Sequence, residues 1–148
     1  MIISSPAFSN NSPIPKKFTC QGEDSNPALI IENIPAGTKS LALIVDDPDA
    51  PMGTWVHWVV FNIHPDNLSR YEIKEKTVPG IQGINDFQQL NYGGPCPPSG
   101  THRYFFKIYA LDNDLNLKAG SGKAAVEKAM PGHVLDKAEL IGLYKKGL

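Results

Sequence analysis

Nothing in the 148-residue sequence approaches the roughly 18 consecutive apolar residues that a membrane-spanning helix needs. The amino terminus, MIISSPAFSNNSPIP, has no basic segment and only a two-residue apolar patch. It does not read as a secretory signal peptide, so a cytoplasmic location is the expectation. Cysteine is scarce: Cys20 and Cys96 are the only two, far apart and outside any CxxC spacing. That indicates neither a disulfide framework nor a zinc knuckle, and reduced thiols are expected, with pairing of the two left open. Basic stripes are missing too. The formal net charge is -1, and apart from Lys145 and Lys146 no Lys/Arg cluster offers a footprint for nucleic acid.

Catalytic and cofactor signatures are equally thin. No HxH or HExxH spacing is present, so a metal site built from Asp47, Asp49, His57 and His102 is not expected, and no cofactor is. No GxSxG elbow occurs. GSGK at 120–123 fails as a phosphate loop, because Leu117 stands where the motif needs Gly and Ala124 where it needs Ser or Thr.

What the chain has in quantity is Gly and Pro, thirteen of each, the punctuation of an all-β protein with many corners. Residues 1–37 are cut by prolines into short extended pieces that exclude long helices. Residues 40–45 (SLALIV) read as a buried strand with Leu41, Leu43 and Val45 on one face, a parity that continues to Asp47. Residues 54–63 (TWVHWVVFNI) are β-branched and aromatic, and a strict period of two places Trp55, His57, Val59 and Phe61 on one face. Residues 101–112 repeat the design, with His102, Tyr104, Phe106 and Ile108 on one side and Arg103, Phe105, Lys107 and Tyr109 on the other. Both strands are apolar on each face, as central strands of a two-sheet sandwich are. Residues 64–92 read mostly as loop. Ser121 is the expected N-cap of a helix GKAAVEKAM that Pro131 and Gly132 end, and HVLDKAELIGLYKK reads as a second helix with Val134, Ala138, Ile141 and Lys145 at helical spacing.

Three polar signals stand at strand ends: DDPDAP at 46–51, WVHW at 55–58 and PCPPSGTHRY at 95–104. If those strands are neighbours, Asp47, His57, His102 and Tyr104 converge. Two imidazoles and a phenol supply donors for an oxyanion, while the carboxylate turns and charges one imidazole. Prolines hold the 93–98 loop with little entropy to lose, and the amides of Gly93 and Gly94 offer a nest for an anion. A hydrolase using Cys96 or Ser99 with His102 is the alternative, on proximity in sequence alone.

DPDAP, HWVVFNI and GGPCPPSGTHRYFFKIYALD, in that order and spacing, resemble the phosphatidylethanolamine-binding protein family and its bacterial Raf kinase inhibitor-like branch. The similarity runs from PAF at 6–8 and FTCQGED at 18–24 through IPAGTKSLALIV and GINDF to GHVLDKAELIGLYKK. It implies a mainly β, antiparallel β-sandwich with peripheral helices, formed as one domain over 1–148, and a non-enzymatic protein with a small anion pocket. Carried over by position, Asp47, Trp55, His57, His102 and Tyr104 belong to that pocket, with Gly94 and Cys96 lining it through loop backbone. The ligand implied is a phosphate or phosphomonoester, and by analogy a protein kinase or another protein is a partner. The short C-terminal segment implies that the closing helix of longer eukaryotic members is missing. Ile31 stands where many relatives carry Trp, and Asn91 where Gly commonly precedes YGGPCPP. Ile31 marks either core or the surface of a homodimer.

Overall fold

Gly and Pro punctuation divides residues 1–147, those described by the computed structural model, into short extended pieces. Among them are nine strands: β1 (Ile2–Ser4), β2 (Ser12–Pro13), β3 (Leu29–Glu32), β4 (Ser40–Asp47), β5 (Trp55–Ile63), β6 (Arg70–Ile73), β7 (Ile81–Gln82), β8 (Thr101–Leu111) and β9 (Val134–Lys145). One helix, α1 (Lys123–Ala129), and a 3-10 turn at Lys16–Phe18 complete the described elements. A six-stranded sheet has the order β2-β9-β8-β4-β5-β7, and a three-stranded sheet the order β1-β3-β6. All pairings are antiparallel except β2 with β9.

β4 is buried at every position, because both of its faces are covered. Leu41, Leu43 and Val45 meet Trp58, Val60, Phe106 and Ile108 beneath Leu29, Ile31 and Ile73 of the small sheet. Ala42 and Ile44 face the other way, with Val59, Phe61, Val126 and Met130 under α1. Removing an aliphatic side chain such as Leu43 fully from water contributes about 1.5–3 kcal/mol, so this central strand anchors two cores at once. The mainly β sandwich expected from the strand pattern is the observed architecture.

Several local expectations give way. Residues 134–145 form β9, not a second helix, and pair along the length of β8. Helix propensity is a weak prior, whereas an unpaired β8 edge would leave a row of backbone donors and acceptors beside the core. The period of two is visible in hindsight at Leu140, Gly142 and Tyr144, which are buried between partly exposed neighbours. The segment 64–92 is mostly loop, as expected, with two short strands in it, β6 against β3 and β7 against β5. Ser121 does not cap α1; its hydroxyl donates to the Lys118 carbonyl, and Gly122 holds the cap position. Ile31 is fully buried between the sheets, so it is core and not a dimer surface.

Gly142 tests this packing. A Cβ placed there overlaps the Ile14 side chain and the ring edge of Phe8. We expect Gly142→Ala to destabilise the fold by about 1–3 kcal/mol in urea unfolding, as overpacking does. Ile14→Ala in the same chain should recover part of that loss, and strict additivity of the two substitutions would contradict the assigned contact.

Candidate functional site

The site begins where β4 ends. Alternation sends Asp46 and Asp47 to opposite faces of the sheet. Asp46 accepts hydrogen bonds from Lys107 (3.1 Å) and Lys123 (2.7 Å) beside α1. Asp47 instead faces the cleft, where its Oδ2 lies 2.7 Å from Nδ1 of His102 on β8, with both side chains buried. Its Oδ1 accepts the Asp49 amide at 2.8 Å, a local turn that shapes DPDAP. Asp49 in turn grips Arg103 through both carboxylate oxygens, at 2.9 and 2.8 Å. That guanidinium, by hydrogen bonding, holds the Asp49 carboxyl down at about 2.

β5 supplies the second imidazole by a register shift. Val45 pairs with Trp58 but Asp46 pairs with Val56, so His57 is the extra residue of a β-bulge. The bulge breaks the expected parity: Trp55 and His57 line the cleft, whereas Val59 and Phe61 lie in the core under α1. His57 Nδ1 is 2.7 Å from the Gly93 carbonyl, and the Gly93 amide returns a 3.0 Å bond to the His57 carbonyl. This reciprocal pair makes Nδ1 the protonated nitrogen and leaves Nε2 as the free one. Burial lowers the His57 pKa from 6.5, against the opposing pull of the Gly93 carbonyl and the Asp47 charge.

Tyr104 lies between the two imidazoles, edge-on to His57 at 5.2 Å and stacked with His102 at 6.4 Å. Burial, with the negative charges of Asp47 and Asp49, pushes its pKa well above 10. Its hydroxyl is buried and has no hydrogen-bond partner among the described residues. An unsatisfied buried polar group costs on the order of 1–3 kcal/mol, and among the described cleft-lining residues Tyr104 alone carries such a side-chain atom.

Around this polar floor the wall is apolar: Ala50, Pro51, Trp55, Phe87, Pro98 and the disulfide side of Cys96 enclose about 210 Å³. Phe87 packs edge-on against both Trp55 (5.6 Å) and His57 (5.3 Å). It is held by Asn85, whose Oδ1 accepts the Phe87 and Gln89 amides while its Nδ2 donates to the His57 and Asn91 carbonyls. Phe87 and Asn85 were not singled out from sequence chemistry. Only the GINDF match pointed to them, because an Asn that organises a loop looks like any other loop Asn.

Asp47, Trp55, His57, Cys96, His102 and Tyr104 therefore come together, and Gly94 does not join them. It borders a neighbouring depression with Cys20, Asp24 and Tyr92. Its amide donates to Asp24 Oδ1 at 2.7 Å, and a Cβ there would overlap that carboxylate and the Phe18 carbonyl. With the Gly93 amide also committed, the expected anion nest is not formed; these glycines let the loop pack closely. The cysteines depart from expectation as well. Cys20 and Cys96 form a disulfide with a Cα–Cα separation of 5.4 Å, brought together by contacts that no spacing rule anticipates. Cys96 is thus no free nucleophile in this state, and Ser99 is exposed outside the cleft wall. No group of ligating side chains suited to a metal occurs among the described residues.

A family model described as phosphatidylethanolamine-binding protein matches residues 4–145. A UPF0098 protein of Methanothermobacter thermautotrophicus is 49% identical over 99% of this chain and 100% of its own length. Another, from Pyrococcus horikoshii, is 50% identical over 96% of this chain and 75% of its own length. The crystal structure of CT736 from Chlamydia trachomatis, described as a homolog of phosphatidylethanolamine-binding protein, superposes with a TM-score of 0.93 at 41% identity, covering 99% of this chain and 97% of that one. E. coli YbcL, described as a member of the mammalian PEBP family, gives 0.88 at 29% identity and 98% coverage of both chains.

The buried imidazole has a stability signature. Because the folded-state pKa of His57 lies below its ordinary 6.5, the unfolded chain takes up this proton more readily, so the group costs stability as pH falls below 6.5 and costs none well above it. We expect the urea midpoint of the wild type to fall more steeply over that acid range than that of His57→Gln. Parallel profiles would refute the assigned protonation state.

Proposed function

The chain belongs to the phosphatidylethanolamine-binding protein family, and on that premise we propose that its cleft binds a small oxyanion, phosphate or a phosphomonoester, and takes up a proton with it. The observation that carries this reading is the buried, unpartnered hydroxyl of Tyr104 between two imidazoles that are each tied down at Nδ1.

The donors follow from the geometry. Asp47 Oδ2 holds Nδ1 of His102 at 2.7 Å, which fixes the ring and leaves Nε2 as the nitrogen that meets a ligand oxygen. The Tyr104 hydroxyl is a second donor. His57 is neutral in the empty cleft because burial withholds compensating charge; an entering anion supplies that charge and makes the imidazolium a third donor. Both carboxylate oxygens of Asp47 are engaged, one by His102 and one by the Asp49 amide, so the acid acts through the imidazole rather than as a direct contact. None of these steps breaks a bond in the ligand, and the role is binding, not turnover. A kinase or another protein partner enters the same reading as a phosphorylated side chain presented to the cleft. The cytoplasmic location stays part of the proposal, and there the Cys20–Cys96 disulfide is open to reduction, because such bonds persist mainly in oxidising compartments.

Calorimetry with inorganic phosphate across pH tests the idea. Affinity should rise as pH falls below about 6.5, with net proton uptake seen as a dependence of the binding heat on buffer ionisation enthalpy. His57→Ala and His102→Ala should each weaken binding by roughly tenfold or more, the loss of one charge-assisted hydrogen bond. Tyr104→Phe separates binding from folding: it should weaken phosphate while leaving the melting temperature unchanged or raised, since it removes an unsatisfied group. Wild-type affinity in both histidine variants sinks the proposal.

A further inference from the structure

We propose that the Cys20–Cys96 disulfide is a reversible redox site that sets how firmly the cleft is preformed. Cys96 stands in the cleft wall, while Cys20 is exposed. The bond therefore links the ligand site to a sulfur that solvent can reach. It spans a sequence separation of 76 residues and fastens the loop carrying Gly93, Cys96 and Pro98 to the segment after the 3-10 turn.

Other contacts hold the same junction: Cys20 N–H to the Pro95 carbonyl at 3.1 Å, Gly94 N–H to Asp24 Oδ1 at 2.7 Å, and the Tyr92 hydroxyl to the Phe18 carbonyl at 2.8 Å. Neither cysteine belongs to the two apolar clusters. Loss of the bond consequently leaves the sheets intact and the loop docked by these hydrogen bonds and by Tyr92, which stays packed on Trp58. The loop also carries the Gly93 carbonyl that turns His57, so freedom gained there reaches the imidazole directly.

The chemistry is thiol–disulfide exchange with a dithiol reductant. Its thiolate attacks Sγ of Cys20, breaking the Sγ–Sγ bond and releasing Cys96 as thiolate. Its second thiol then attacks the mixed disulfide, and the reductant leaves as a disulfide. Two electrons and two protons pass to the protein, giving the Cys20 and Cys96 thiols.

Dithiothreitol under native conditions tests this on the full chain, with thiol titration, amide hydrogen exchange and phosphate calorimetry run together. Reduction should accelerate exchange at residues 92–98 by about tenfold or more while β4 and β8 stay protected, and should weaken phosphate binding by roughly tenfold through lost preorganisation. Cys20→Ser should reproduce the reduced behaviour and ignore the reductant. A bond that resists reduction, unchanged exchange at 92–98, or exchange that rises throughout β4 and β8 each overturns the inference, the last by making the bond a staple of the whole fold. The affinity arm rests on the proposed anion site. If the oxidised protein takes no phosphate, that site fails while the exchange data still decide the redox role.

Discussion

Two adjacent carboxylates on the most buried strand have to be neutralised on opposite sides of one sheet, and the site is built around that necessity. An unpaired charge inside a protein costs several kcal/mol. Asp46 meets Lys107 from β8 and Lys123 from α1, which fastens the helix to the sheet. Asp47 meets His102, which fastens β4 to β8 on the cleft side and settles which nitrogen of that imidazole is free. Two residues further, Asp49 closes on Arg103. Three carboxylates within four residues thus tie the same two strands together on both faces, and the cleft mouth inherits its rigidity from those ties.

The other half of the site depends on a backbone irregularity. Without the bulge in β5, His57 would share the parity of Val59 and Phe61 and point to the α1 side of the sheet. The extra residue returns it to the cleft side, where the Gly93 carbonyl accepts from its ring. The Gly93 loop stays in place because its amides, its disulfide and the Tyr92 hydroxyl all engage neighbouring chain. Loop and bulge are therefore one device: each fixes the partner that the other needs.

Strong local periodicity made the core strands legible. The runs at 40–45, 54–63 and 101–112 correspond to β4, β5 and β8, and the polar residues at their ends led to Asp47, His57, His102 and Tyr104. What stayed hidden was whatever depends on chain arriving from far away. Residues 134–145 have helical spacing, and only the waiting edge of β8 makes them a strand. Cys20 and Cys96 meet through the docking of two loops. The face of Gly94 was misjudged because a glycine admits close approach by ligand and by protein alike, and here Asp24 and the Phe18 carbonyl fill the space.

The proposed oxyanion cleft has no Lys or Arg on its wall among the described residues and would recognise its ligand differently from a basic patch. Fixed cations attract a dianion at any pH below their own titration and lose affinity as salt screens them. In the proposed reading the positive charge comes instead from imidazoles, one held at Nδ1 by a carboxylate and the other disfavoured as a cation by burial. Protonation would then supply the charge on binding, inside an apolar collar where screening is weak. Burial that disfavours charge on His57 also disfavours a second cation in the same low-dielectric pocket, where like charges repel. The unsatisfied phenol is the smaller cost of that arrangement, because a neutral hydroxyl left dry disturbs the fold less than a second buried charge without a partner.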